Sequence, residues 1–295
     1  MAAKQLRFAV FGNIYQARKS AGIQSILSCL RHHGADICME RMFHAFLSDS
    51  GNKGLDDVKV FDGNDFDADF VLSMGGDGTL LKSAAGVGDK NIPVVGVNMG
   101  RLGFLANVGA GDINKALDDI CAGRYEIDEH AVIQLSAGGT PFGGCSFAMN
   151  DISILKRDNA SMITIHTWIN DEYIVTYRAD GLIVTTPTGS TAYSLSNGGP
   201  IITPGTGILC LTPVAPHSLN IRPIVIPDNA VIRLEVESRS HNFLIAADGR
   251  SADCREGVQL EIRKAPYTIK TVKLVGHTYA STLREKMMWG VDTRK

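Results

Sequence analysis

The chain has 295 residues, which at about 150 per domain is enough for two domains of ordinary size. Hydrophobic residues make up 44% and charged residues 20%, a globular composition that excludes a disordered or fibrous chain. A net charge of -2 gives no general attraction to nucleic acid or to an anionic membrane, so any phosphate must be held locally.

The N-terminal MAAKQLRFAVFG lacks the long apolar region of a signal peptide, and no apolar run approaches the ~20 residues of a bilayer span. A reducing cytoplasm is the expected setting. Cys29, Cys38, Cys121, Cys145, Cys210 and Cys254 never form a Cys-x-x-Cys pair, so they are expected to be buried small hydrophobes, and no metal ligand is assigned. From Leu6 to Gly123 strand-like and helix-like runs alternate. LRFAVF is followed by Ile23, Ile26, Leu27 and Leu30 at helical spacing before Gly34, then by DICME, VKVF, DFVLSM, a helix-like TLLKSAAG, and IPVVGV. This alternation predicts a Rossmann-like α/β domain with a mostly parallel sheet over residues 1–123. Its last helix, 112–122, has Ile113, Leu117, Ile120 and Cys121 on one face.

Beyond Gly123 the helical period disappears. Runs rich in Val, Ile, Thr and Tyr recur between turn residues: MITIHTWI and EYIVTY joined by Asn170 and Asp171, then VIRLEVE, FLIAA, VQLEI and YTIKTVKLV. They predict an all-β domain over 124–275. A helical pattern returns with Leu283, Met287 and Met288, so the segment 276–295 is expected to pack back on the first domain.

Residues 182–221 contain no Asp, Glu, Lys or Arg, while Ser, Thr, Gly and Pro supply 21 of the 40 positions. That composition suits buried strands and tight turns, and equally a site where hydroxyl and backbone groups meet a polar neutral ligand.

The strand-like run 70–74 leads straight into Gly75, Gly76, Asp77, Gly78 and Thr79 and then into a helix. Glycines there let backbone N–H groups converge, and a helix start favours negative charge, so phosphate binding is chemically natural. A carboxylate in such a cradle would repel phosphate unless a metal lies between them or Asp77 takes the proton of an attacking hydroxyl. Both roles point to phosphoryl transfer. Alone, the same four residues are equally a β-turn in which Asp77 caps the following helix. No P-loop, no Gly-x-Gly-x-x-Gly, no His-Glu-x-x-His and no Gly-x-Ser-x-Gly occurs.

Three further stretches narrow the reading: NMGRLGFL at 98–105, the pair Asn150 and Asp151, and RADGLIVTTPTGSTAY at 178–193 continuing to Gly198, Gly199 and Pro200. With the glycine turn, and with Thr282, Leu283, Arg284, Lys286, Trp289 and Gly290 closing the chain, they resemble the NAD kinase family from about Arg7 to Trp289. The resemblance implies transfer of the terminal phosphoryl group of ATP to the 2′-hydroxyl of the adenosine ribose of NAD, giving NADP, with a divalent metal, Mg²⁺, as cofactor. Carried over residue by residue, it makes Asp77 catalytic. Gly75, Gly76 and Gly78 become the donor-phosphate cradle. Phe104, Asn150, Asp151, Asp180, Thr188, Thr191, Ala192, Tyr193 and Ser196 join the substrate site, where Asn150 can pair with an adenine edge, its neighbouring carboxylate can hold ribose hydroxyls, and Tyr193 can stack. Asp151 stands where the family pattern has Glu, a shorter reach. Lys82, Arg178 and Arg250 are candidate phosphate contacts. The small-molecule substrates are the expected partners, with no nucleic acid and no membrane. The resemblance also implies a homodimer or homotetramer in which the β domain contributes to a neighbour's site. The rival readings are a lipid or sugar-phosphate kinase with the same Gly-Gly-Asp-Gly turn, and a dinucleotide sensor without turnover.

Overall fold

The computed structural model describes residues 5–14, 22–100, 103–109, 111–138, 146–158, 161–274, 276 and 278–290; Arg101, Leu102 and Cys145 lie outside them. The chain divides into two compact units, Met1–Glu129 with Ile269–Lys295, and His130–Thr268.

In the first unit the elements run β1 Arg7–Gly12, α1 Gly22–His32, β2 Asp36–Glu40, α2 Arg41–Asp49, β3 Lys59–Phe61, β4 Phe70–Gly75, α3 Asp77–Val87, β5 Val94–Asn98, β6 Val108–Gly109 and α4 Ile113–Cys121. The order across the sheet is β5, β4, β1, β2, β3, with every one of these pairs parallel, and Thr271 of the returning chain pairs with Val94, also parallel. Parallel strands covered on both faces read as unbroken apolar runs, and every residue of β4 and β5 is buried. α1 buries Ile23, Ile26, Leu27 and Leu30 and ends before Gly34, whose φ of 66° a side chain would resist. α4 buries Ile113, Ala116, Leu117 and Ile120 on one stripe. Each such Leu or Ile contributes about 1.5–3 kcal/mol by leaving water. The mostly parallel α/β arrangement expected of this unit is borne out, with α2 as an additional helix that the sequence pattern did not mark.

The second unit is antiparallel. Its elements are the end of β7 (Glu126–Ser136), β8 Phe147–Ala148, β9 Asp151–Lys156, β10 Ile163–Ile169, β11 Glu172–Ala179, β12 Gly181–Thr185, a 3₁₀ turn Thr188–Thr191, the one-turn α5 Tyr193–Ser196, β13 Ile208–Val214, β14 Ile224–Pro227, β15 Ile232–Glu237, β16 Asn242–Ala247, β17 Arg250–Arg255 and the start of β18 (Leu260–Lys273). One sheet has the order β14, β13, β12, β9, β16, β17, and a second runs β11, β10, β15, β18. Their facing side chains, among them Ile152, Ile154, Leu182, Leu211 and Phe243 from the first and Ile163, Ile165, Tyr177 and Leu234 from the second, form one core. Asn170 and Asp171, both at positive φ, make the hairpin between β10 and β11. VQLEI and YTIKTVKLV read as two strands but form one, β18. Pro266, which has no N–H to donate, lies between the residues that pair with β15 through Ile262 and with β5 at Thr271.

After β18 the chain forms α6, Tyr279–Met287. Among the described residues no helix is long and apolar enough to cross a membrane. The five described cysteines are all free, Cys210 buried and the others half-buried.

Candidate functional site

In the first unit the strand order reverses at β1, which has β2 on one side and β4 on the other. Ligands of open parallel sheets bind at such a point, beyond the carboxyl ends of the strands. Gly12 and Asn13 leave β1 there, and Gly75 to Gly78 leave β4. Gly12, Asn13, Ile14, Glu40, Met42, Gly78, Thr79 and Lys82 line a cleft of about 210 Å³. Gly75 is needed because a methyl group on it would collide with Thr79 Oγ1. Gly78 has open space where a side chain would stand, so its bareness serves nothing in the protein and leaves room for a close ligand.

Asp77 does not cap its own helix. Gly76 holds the N-cap position of α3, with no side-chain cap bond. The Asp77 carboxylate reaches across to the segment after β5 instead. Its Oδ2 accepts from Phe104 N at 2.7 Å, and its Oδ1 accepts from Leu105 N at 3.0 Å and Ala106 N at 2.9 Å. Phe104 thus enters the site through its backbone. Gly103 is bare by necessity, since a methyl there would overlap Asp77 Oδ1. Asn98 supports the same segment, with Oδ1 accepting from Gly100 N at 2.8 Å. Lys82, one turn into α3, is half-exposed and bonds Glu40 Oε1 at 2.5 Å.

In the second unit three strand ends meet. Thr185 at the end of β12 pairs with Asp151 at the start of β9, and Ala247 at the end of β16 pairs with Ile152. Asp248 and Gly249, with φ of 48° and 79°, form a two-residue turn into β17. The Asp248 carboxylate accepts from Met149 N at 2.7 Å, Asn150 N at 2.8 Å and Asp151 N at 3.2 Å, which fixes the Asn150 and Asp151 pair from 97 to 99 residues away. Arg250 extends the clamp by donating from Nη2 to Phe147 O at 2.5 Å. From the other side Asn150 O accepts Thr186 N at 2.9 Å and Thr185 Oγ1 at 3.1 Å. A methyl on Gly189 would strike that same oxygen, so the 3₁₀ turn packs directly on the Asn150 backbone. Thr188 Oγ1 lies 2.9 Å from His130 Nδ1, Thr191 Oγ1 reaches Thr188 O at 3.4 Å, Ala192 is half-buried, and Tyr193 and Ser196 are exposed.

Two features of this cluster ask for a ligand. Asn150 Oδ1 is buried and has no hydrogen-bond partner. Asp151, 8% exposed, has its carboxyl pushed up to about 7, first by burial and then by the negative charge of Asp248. Burial also raises Asp248, against the pull of its three N–H bonds and of Arg250.

Asp180 and Arg178 are not brought to this cluster. Asp180 precedes β12 at the end opposite Thr185, about 17 Å away at ~3.3 Å per residue, and its Oδ1 pairs with Lys156 Nζ at 2.8 Å. Arg178 is exposed on the rim of another cleft, with Thr164, Glu237 and Arg239. Among the described residues Cys29, His33 and Asp118 form one close group, apart from both clusters, in which His33 Nε2 already bonds Asp118 Oδ1 at 2.6 Å. The sequence reading named neither Gly103 nor Asp248 as a site residue. Gly103 stands inside the quoted NMGRLGFL stretch, and the Asp-Gly turn at 248–249 was a hairpin signal.

The family model of the ATP-NAD kinase N-terminal domain matches residues 31–125, and that of the C-terminal domain matches residues 149–274. The chain belongs to the ATP-NAD kinase family. The NAD kinase of Bacteroides fragilis is 52% identical over 289 residues, covering 98% of this chain and all of that protein. The NAD kinase of Porphyromonas gingivalis strain W83 is 41% identical over 290 residues, covering 98% and 99%. The fold is also that of yeast NADH kinase complexed with NADH, with a TM-score of 0.84 and 20% identity over 98% of this chain and 89% of that one. An NAD kinase from Archaeoglobus fulgidus in complex with ATP gives a TM-score of 0.69 at 23% identity, over 96% and 98%. The enzyme is a phosphotransferase of the NAD kinase class, as its sequence resemblance implied.

Proposed function

We propose that the ATP-NAD kinase reaction of this chain is divided between its two units, with phosphoryl transfer at the Asp77 turn and dinucleotide recognition at the Asn150 and Asp248 cluster. The reading rests chiefly on Asn150, whose buried and unpartnered Oδ1 suits the exocyclic amine of adenine, with its Nδ2 free to donate to the same edge. A carboxyl near neutrality beside it, that of Asp151, both donates and accepts hydrogen bonds, as ribose hydroxyls require. The exposed ring of Tyr193 offers a stacking face, and Thr188, Thr191, Ala192 and Ser196 belong to the same 3₁₀ turn and one-turn helix, Ala192 as the residue between the two.

At the turn, Gly75, Gly76 and Gly78 with the start of α3 receive the donor phosphates, and Asp77 meets the attacking hydroxyl. A bond forms between the 2′-oxygen and the γ-phosphorus as the bond from that phosphorus to the β–γ bridging oxygen breaks. ADP leaves with the electron pair, and the hydroxyl proton passes to an Asp77 oxygen. Asp77 also fits a divalent metal. Mg²⁺ needs only one or two carboxylates beside substrate phosphates and water, and Oδ2 spends one acceptor site on Phe104. When bound, Mg²⁺ supplies neutralisation of phosphate charge. Lys82, after release from Glu40, and Arg250 serve as secondary phosphate contacts, whereas Arg178, on the rim of another cleft, does not.

Asp180 stands at the far end of β12 from Asn150. In the homodimer or homotetramer that the family resemblance implies, Asp180 would serve a neighbour's ligand. The working compartment is a reducing cytoplasm, in keeping with the free cysteines.

Incubation with NAD, ATP and Mg²⁺, read by an NADP-specific dehydrogenase, tests the assignment. NADP above a no-enzyme blank is the expected result. Tight NAD binding without NADP, with several donors and metals tried, would favour the sensor, and phosphorylation of a lipid or sugar phosphate instead would favour the other kinase class.

A further inference from the structure

α6 begins with a capping box. Ser281 N donates to Thr278 Oγ1 and Thr278 N donates to Ser281 Oγ, both at 3.1 Å, which fixes where the helix starts. No residue of α6 is buried as a whole. Against that background Lys286, in its last turn, is inverted. A surface lysine keeps its ammonium in water and buries its stem. Lys286 Nζ is sealed from solvent and has no hydrogen-bond partner. An ammonium held that way loses hydration and gains no bond in return, an arrangement that persists where something else supplies the missing acceptors.

Burial pushes the Lys286 ammonium down, and the carboxylates of Asp77 and Glu285 pull it back. Glu285 is its chain neighbour. Asp77 belongs to the glycine turn, in the same compact unit. Its carboxylate takes three backbone N–H groups and makes no hydrogen bond with Lys286. A cation with three unused donors is therefore kept in the electrostatic reach of Asp77 without being bound by it. Lys82, the lysine that the sequence singles out, is by contrast half-exposed and already bonded to Glu40.

We propose that Lys286 is a second catalytic cation of the phosphotransferase, its Nζ donating to oxygens of the phosphoryl group in transfer at the Asp77 turn. This rests on the turn being where that group is held. The chemistry suits the residue. A phosphate offers several acceptors to a compact point charge, and the sealed position strengthens the interaction relative to water. The helix that closes the sequence thereby becomes part of the reaction.

The experiment compares the parent with Lys286→Met, Lys286→Arg and Lys286→Gln in steady-state kinetics. Binding of NAD and of β,γ-methylene-ATP is measured separately, and Tm is recorded for each. A hydrogen bond to a charged group is worth about 1.5–3 kcal/mol, so Lys286→Met should lose about 10- to 150-fold in kcat/KM for ATP and bind the analogue more weakly. NAD affinity should stay within about twofold, and Tm should stay level or rise because an unpaired buried charge is gone. Lys286→Arg, which keeps the charge, should recover part of the loss. A Met variant with kcat/KM for ATP within about threefold of the parent overturns the proposal. So does a fall of Tm together with equal losses toward NAD and ATP, the mark of a structural lysine. Should the Met variant not fold, Lys286→Gln is held to the same two outcomes. Asp77→Asn run in parallel separates the premise from the proposal: parent-like turnover there would remove the turn as the place of transfer, whatever Lys286 does.

Discussion

Asp77 and Asp248 solve one problem in two units. Each accepts three consecutive backbone N–H groups, those of 104–106 and of 149–151, and so pins a segment that carries functional residues. Their charged company differs. Asp248 stands near a second buried carboxyl, Asp151, whose proton it helps to retain, and has Arg250 as its cation. Asp77, with Glu285, acts on a lysine ammonium that has no hydrogen-bond partner. Equal hydrogen bonding therefore does not mean equal function. In the function proposed above, the carboxylate clamp next to another carboxyl serves ribose hydroxyls, and the one next to an unused cation serves phosphate.

The comparison breaks first at Asp77→Asn. The amide keeps one acceptor oxygen and puts hydrogens where the other stood, so at least one N–H of 104–106 loses its acceptor, at a cost of about 1–3 kcal/mol. Clamping alone would lower Tm and leave turnover near the parent. A proton acceptor or metal holder is worth about 10² to 10⁴ in rate, so kcat is expected to fall about a hundredfold or more while NAD still binds. Calorimetric NAD binding beside single-turnover rates reads the two effects separately, and turnover within about tenfold of the parent would reduce Asp77 to a clamp.

Gly103→Ala tests the same geometry without touching the carboxylate. Its methyl group would occupy the place of Asp77 Oδ1, so Asp77 or the segment must move. A displacement near 1 Å is worth up to about 10² in rate. A fall of about ten- to a hundredfold in kcat with little change in NAD affinity is expected, and unchanged kcat would mean that the position of Asp77 is not critical.

Asp248→Asn is the counterpart in the second unit. It unseats the Asn150 and Asp151 pair, so the loss should appear as about a tenfold weaker NAD affinity, the size of one hydrogen bond, with kcat less affected. A variant that loses kcat and keeps NAD affinity would reverse the assignment of roles between the two aspartates.

Local signals carried most of the architecture. FVLSM and the VVGV of IPVVGV are fully buried parallel strands and read as such, and Asn170 with Asp171 marked a hairpin. Within the uncharged segment 182–221, β12 and β13 have a plain packing cause, since they sit buried in the middle of a sheet, but Tyr193, Ser196 and Gly205 between them are exposed. α2 escaped notice because it follows β2 directly at Arg41, with no capping side chain and no Gly or Pro between. At the site, the glycine turn was legible because strand, turn and helix are contiguous. The partners of its aspartate lie 27 to 29 residues on, and those of Asp248 lie 97 to 99 residues back, so no local pattern connects either carboxylate to what it holds. Lys286 in the sequence is one lysine among Arg284, Glu285 and Met287, and only the fold reveals its ammonium as covered.

The smallest effect expected is also the most specific to the Asp248 side of the comparison. Asp151 has an ordinary value of 3.8 and a folded value of about 7, so between those limits the folded chain keeps a proton that the unfolded chain has lost. Folding takes up a proton across this window. Stability is therefore greatest at its acid end, falls as pH rises, and bears the whole penalty above about pH 7. Asp151→Asn has no such proton and leaves Asp248 without its like-charged neighbour. The Tm values of parent and variant should lie close together near about pH 4 and separate toward about pH 8, with the variant higher by several degrees, since 1 kcal/mol is worth about 2–4 °C in a chain of this size. The raised Asp248 gives both proteins some slope of the same sign, so it is the difference between the curves that isolates Asp151. Parallel curves across the window would show Asp151 titrating as an ordinary carboxylate. The second clamp would then resemble the first in charge as well as in hydrogen bonding, and the contrast between the two units would rest on Lys286 alone.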